Sequence, residues 1–116
     1  MRHLSRNKKF HRKKGQRTAL FKHLANNLIL EGKITTTEAK AKALKSFAEK
    51  LITLAKKQTL ASHRLLISRI SKIAANKLFY EIAPKYKSRR GGYLRVTKAV
   101  SLRQRDASRM ATVEFV

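Results

Sequence analysis

The apolar residues of the first half of the chain recur at helical spacing in two segments. In residues 16–31, leucines stand four residues apart, which predicts a helix that ends at Gly32. A second helix is predicted over residues 38–57, with Thr37 as its cap and the clearest apolar stripe of the chain. The leucines of the first helix are Leu20, Leu24 and Leu28. The stripe of the second comprises Leu44, Phe47, Leu51 and Leu54.

Two shorter apolar segments follow the second helix. Leucines and isoleucines within residues 60–70 predict a third helix, and those within 72–82 predict a fourth. Pro84 lacks the backbone N–H that a helix interior needs, so we expect the fourth helix to end there.

The remaining apolar residues follow the alternation of β-strands. A short β-favouring run occupies residues 34–36. Apolar and polar residues alternate over residues 93–100, which places Leu94 and Val96 on one side of a strand. Val100 lies on the same side if the alternation continues. Residues 110–116 alternate in the same way, across a basic loop. The order helix, strand, three helices, two strands predicts an α+β fold in which a small sheet packs on the helices.

Composition limits the chemistry that this fold can carry. The chain has 116 residues, enough for one domain, with 29 Lys and Arg against 6 Asp and Glu, a formal net charge of +23. It has no cysteine, no paired acids and no histidines at metal-ligand spacing, so we expect no catalytic residue, no metal and no cofactor. No apolar stretch is long enough for a membrane helix or a secretory signal, so we expect an intracellular soluble protein.

The positive charge is concentrated at the two ends of the chain. Residues 1–30 contain no acid, and the few apolar residues of 1–15 show no periodicity. We therefore expect residues 1–15 to form a basic arm that is disordered alone and folds on a polyanion, and residues 16–116 to form one α+β domain. A tail that only increases solubility is the alternative.

A second basic cluster surrounds Gly91 and Gly92, which form a turn or a site of close backbone approach. Tyr93 either stacks on a base or packs on the sheet. Because the cations lie in an arm and in loops, they suit a folded RNA better than a DNA major groove. The predicted RNA-binding residues are Arg2, His3, Arg6, Lys8, Lys9, His11, Arg12, Lys13, Lys14, Arg17, Arg89, Arg90, Gly91, Tyr93, Arg95, Arg103 and Arg105.

Two other functions remain open at this point. One is a nucleoid-type architectural DNA-binding protein, which the net charge would also suit. The other is a membrane-active amphipathic protein, because the polar faces of the helices are basic. The apolar stripes, however, are what a small core requires in any case.

Seven short motifs resemble those of the bacterial large-subunit ribosomal proteins of the L-seventeen family. They occur in order along the whole chain, and each is weak alone. They are MRH at 1–3, RTALF at 17–21, ITTT at 34–37, AKAK at 39–42, LITLAK at 51–56, RGGYLR at 90–95 and MATVEFV at 110–116.

This resemblance implies a two-layer fold with the element order predicted above. It also implies a structural protein of the cytoplasmic bacterial ribosome that binds large-subunit rRNA. Its neighbours would be other ribosomal proteins near the exit of the peptide tunnel. The chain departs from the family pattern at Leu4, where a basic residue is usual, and at Arg105, where glycine usually precedes the aspartate that matches Asp106.

Overall fold

The computed structural model describes residues 3–4 and 8–116, and its elements follow the predicted order. The first helix begins two residues earlier than predicted. The described helices and strands are α1 (Lys14–Glu31), β1 (Lys33–Thr37), α2 (Glu38–Lys56), α3 (Leu60–Arg69), α4 (Lys72–Lys77), β2 (Leu94–Leu102) and β3 (Arg109–Phe115). A π-helical turn (Leu78–Ile82) and a 3₁₀ turn (Ala83–Tyr86) follow α4. The predicted α+β class is confirmed.

The helix α2 is the centre of the core. It packs on the sheet and also contacts α1, α3 and the turns that follow α4. Its predicted stripe faces inward: Leu44 and Leu51 are buried, and Phe47 and Leu54 pack against the core from its edge. In α1 the buried residues are confined to the second half of the helix, from Ala25 onward. The first half of α1 therefore extends beyond the core.

The three strands form an antiparallel sheet in the order β1-β3-β2. Val113 on the middle strand pairs with Ile34 on one side and with Val96 on the other, and these apolar residues face the helices. The opposite face is polar, with a hydrogen bond of 3.1 Å between the hydroxyls of Thr35 and Thr112. One sheet face thus completes the core, as expected for a half-buried antiparallel sheet.

Two local details differ from the sequence prediction. The alternation does not carry Val100 onto the apolar face, because the register shifts between Lys98 and Leu102 and a bulge interrupts β2; Val100 is fully exposed. Pro84 does not end the helical winding. It lies in the 3₁₀ turn, after the N–H of Ala83 has bonded to the carbonyl of Leu78. The chain thus passes into a wider and then a tighter turn where a regular α-helix could not continue.

Candidate nucleic-acid interface

The basic arm is fixed to the domain at Phe10. The Phe10 ring meets the Phe21 ring of α1 edge-on, with centroids 5.9 Å apart. The Arg12 guanidinium donates to the carbonyl of Phe10 at 2.9 Å, and the Arg17 guanidinium donates to the carbonyl of Arg12 at 2.7 Å. Residues 10–13 are thereby attached to α1, whereas the sequence suggested a segment with nothing to pack on.

The other arm residues that the structure describes face solvent. These exposed residues are His3, Lys8, Lys9, His11, Lys13 and Lys14. Arg2 and Arg6, which the sequence also predicted as RNA contacts, lie outside the described residues. Because these residues are exposed and the segment is anchored at Phe10, their positive charges are accessible to a polyanion.

A second basic site is the glycine turn, residues 89–92, which is exposed throughout. Gly92 has a positive φ of 64°, a conformation that side chains disfavour. The carbonyl of Arg89 accepts hydrogen bonds from the Lys56 ammonium and from the Tyr93 hydroxyl. The Arg89 side chain donates to the carbonyl of Gly91 at 3.0 Å. The turn is therefore held in one shape, and Arg90 within it is exposed.

Tyr93 supports this turn from beneath. Tyr93 is only 2% exposed, and its ring packs against Tyr86 and the Lys56 side chain, so in this structure the ring is not open to an external base. The Lys56 ammonium lies 2.7 Å from the Tyr93 hydroxyl and 4.9 Å from the centre of the ring. Sequence reasoning missed Lys56, because no local pattern links two residues 37 positions apart.

Tyr86 extends the support of the glycine turn. Its ring meets Tyr93 at 5.3 Å, nearly edge-on, and its hydroxyl donates to the carbonyl of Val116 at 2.8 Å. Burial raises the pKa of Tyr86 above its ordinary value. These aromatic contacts hold the glycine turn against the C-terminal strand.

The third basic site is the hairpin tip, residues 103–108. Arg103 donates through Nε to Asp106 at 2.9 Å and makes a second bond to the same carboxylate. The hydrogen bonds from Arg103 and from the Ser108 N–H hold the pKa of Asp106 well below its usual range. The left-handed residue of this loop is Ala107, with φ of 55°, so the loop places no demand for glycine at Arg105.

The predicted arginines on β2 and at the last two sites differ in how far they are already neutralised. Arg95 pairs with Glu114 across the sheet at 2.9 Å, and Arg103 pairs with Asp106. Within the part of the chain that the structure describes, Arg90 and Arg105 have no carboxylate partner. These two arginines therefore retain their full charge for an external anion.

An additional charged group lies where α2 begins, beside the sheet. Glu38 pairs with Lys42 at 2.9 Å and with Lys98 at 3.7 Å. The hydrogen bond from Lys42, together with the charges of Lys98 and Arg109, lowers the pKa of Glu38. Glu38 thus neutralises part of a surface on which lysines predominate.

The described residues contain no group of acids or histidines suited to a metal ion, and none of their helices is long and apolar enough to cross a membrane. A small α+β fold with exposed cations on an arm, a turn and a hairpin tip is typical of structural proteins that associate with polyanions.

Comparison with known proteins identifies the family. The family model described as "Ribosomal protein L17" matches residues 20–116. The chain is similar to proteins named "Large ribosomal subunit protein bL17". The one from Sulfurihydrogenibium sp. (strain YO3AOP1) is 53% identical, over all of this chain and 97% of the relative. The one from Persephonella marina is 55% identical over all of this chain and 95% of the relative. The one from Thermus thermophilus is 43% identical over all of this chain and 99% of the relative.

The chain belongs to the ribosomal protein L17 family. The family resemblance inferred from the motifs is therefore confirmed. The prediction that the protein is not an enzyme is confirmed by the same comparison, because the relatives are ribosomal proteins.

Proposed function

We propose that this protein is a structural constituent of the large ribosomal subunit of a bacterium, and that it binds large-subunit rRNA through Lys and Arg contacts to phosphates. The observation that carries this proposal is the full-length similarity to proteins named for the large subunit. The net charge of +23 supplies the physical reason, because lysines and arginines that neutralise phosphates release counterions.

The predicted RNA contacts fall into three surfaces with different roles. The arm, residues 1–15, contacts RNA phosphates through its cations, while the domain, residues 16–116, presents the glycine turn and the hairpin tip. Arg89, Arg90 and Arg105 make the strongest contacts of the last two surfaces, because none of them is paired with a carboxylate among the described residues. Arg95 and Arg103 contribute less net charge and chiefly hold their own strand and loop in shape.

The family resemblance also suggests a position within the subunit, which we propose here. We place the protein beside other large-subunit proteins near the exit of the peptide tunnel, in the cytoplasmic ribosome. Crosslinking within intact ribosomes, followed by identification of the attached proteins, tests this position. Crosslinks only to proteins remote from the tunnel exit would refute it.

Binding to rRNA is tested by titrating the full chain with large-subunit rRNA transcribed in vitro at increasing salt. If about 6–10 phosphates are engaged, affinity falls by about 10³–10⁵ between 50 and 200 mM salt. An affinity that does not change across this range would contradict phosphate binding. Crosslinking in cells and sequencing of the attached RNA identifies the RNA itself.

The nucleoid-type alternative is separated by competition. Duplex DNA and folded rRNA fragments of equal length compete for the labelled protein at one salt concentration. We expect rRNA to be preferred, because an arm and two loops match an irregular RNA surface better than a regular major groove. Preference for duplex DNA would favour the architectural DNA-binding protein.

A further inference from the structure

A groove of about 750 Å³ lies between the start of α1, the residues just before it and the outer face of α2. The cations that line this α1–α2 groove are Lys8, Lys9, Lys14, Arg17, Lys42 and Lys50. Among the described residues that line it there is no acid. Glu38 lies in an adjoining depression, where it pairs with Lys42 and Lys98. The α1–α2 groove is therefore strongly positive.

The floor of the groove contains two neighbouring aromatic rings. The rings of Phe21 and Phe47 lie side by side with centroids 5.8 Å apart and planes inclined by 33°. Both rings are half-buried and line the groove, and Phe47 also packs against the core. Ala39, Ala43 and Ser46 follow one another at helical spacing on α2, and their small side chains leave the space above open.

We propose that the α1–α2 groove binds single-stranded RNA, with an unpaired base against Phe21 and Phe47 and the flanking phosphates on the surrounding lysines. This inference rests on the proposed function and adds a site to it. Simple phosphate binding requires only an exposed cationic surface. A groove that adds two aromatic rings matches a ligand that is both anionic and flat, which is the combination that a nucleotide offers.

The size and position of the groove fit this ligand. Its volume lies within the roughly 300–1,000 Å³ of sites that enclose small molecules, enough for a nucleotide with its phosphates. An acidic peptide would satisfy the lysines but would leave the aromatic floor without a flat partner. Phe10 meets Phe21 edge-on, and the neighbouring arm residues Lys8 and Lys9 line the groove. An RNA strand that contacts the arm can thus continue directly into the groove.

The aromatic floor is tested with the full chain and two probes of equal length, oligouridylate and an abasic ribose-phosphate strand. The variant F21L/F47L keeps apolar side chains but removes the rings. We expect its affinity for oligouridylate to fall about tenfold to a hundredfold, with affinity for the abasic strand unchanged. Tyr80→Leu removes an exposed ring on another face and serves as the control, with no change expected.

The lysines are tested separately. The variant K14Q/K50Q removes two charges from the groove, and K57Q/K72Q removes two exposed charges elsewhere. The slope of log affinity against log salt for oligouridylate should decrease by about 1.4 in the groove variant, since each single-strand phosphate contact contributes about 0.7. The control variant should retain the slope of the original chain.

The outcomes separate this inference from the proposed function. If the chain binds rRNA but the groove variants behave like their controls, the groove proposal is wrong and the function stands. If the original chain shows no salt-dependent rRNA binding, the function itself fails. Equal losses on oligouridylate and the abasic strand would refute base stacking, and tighter binding of polyglutamate than of oligouridylate would assign the groove to an acidic protein. Should F21L/F47L not fold, K14Q/K50Q decides.

Discussion

The replacement Leu51→Ala tests whether α2 is the centre of the core. Leu51 is 2% exposed and lies on the helix that separates the sheet from the other helices. Leucine-to-alanine changes at buried sites cost about 2–5 kcal/mol, depending on how far the surroundings collapse into the cavity. Because structure packs on α2 from both the sheet and the helix side, collapse is limited, and we expect a loss of about 3 kcal/mol.

This loss is measured by urea denaturation of the two proteins at equal salt, and it should lower the melting temperature by roughly 10 °C. Leu60→Ala is the matched control, because Leu60 is 65% exposed and its truncation removes little buried area. Below its lower melting temperature, Leu51→Ala should bind rRNA as the original chain does. A stability loss under about 1 kcal/mol, or a loss equal to that of Leu60→Ala, would refute the assignment of this helix face.

Three further predictions concern the arm, the hairpin tip and the glycine turn. Deleting residues 2–9 should leave the melting temperature nearly unchanged, because the anchor at Phe10 remains. The slope of log affinity for rRNA against log salt should decrease by up to about four, one for each Lys or Arg removed. A large fall in melting temperature would instead show that these residues are part of the fold. Arg105→Gln should reduce that slope by about one. Arg103→Gln should reduce it by less, because Asp106 already pairs with Arg103. Equal reductions in the two variants would contradict the unequal roles of these arginines. Burial raises the pKa of Tyr86, so the stability that the buried neutral hydroxyl contributes is complete below the ordinary pKa of about 10 and is lost as pH rises through the higher pKa of the folded state. The melting temperature of Tyr86→Phe should therefore fall less at alkaline pH than that of the original chain. The same pH dependence in both proteins would contradict the burial argument.

The elements predicted from the sequence are those whose signal is local and periodic. The α2 stripe and the alternation of β3 depend only on residues within one element, and both are present in the structure with nearly the predicted bounds. The turns after α4 could not be predicted in the same way. Pro84 indicates that a regular helix stops. It does not indicate whether the chain then leaves the helix or continues in a wider and then a tighter turn, because that depends on the packing of the buried Phe79 and Ile82.

The candidate interface was predictable in composition but not in geometry. Charge runs locate the arm and the two basic loops, yet they cannot show that Tyr93 is buried or that Lys56 reaches it from α2. The α1–α2 groove was missed for a similar reason. Lys42, Ser46 and Lys50 are spaced along one face of α2, a pattern typical of an ordinary solvated face. Only the fold shows that Phe21 of α1 lies beside this face. Contacts between distant parts of the chain decide which cations share a site.

The order of the sheet has a consequence for how the nascent chain folds. The middle strand, β3, is the last of the elements in sequence, and both of its neighbours were synthesised earlier. Neither β1 nor β2 can pair until residues 109–115 have been translated and have left the ribosome. Until then, the side of the helices that packs on the sheet remains exposed. A product of premature termination that lacks these residues would have no sheet at all, and we expect proteases to remove it rapidly.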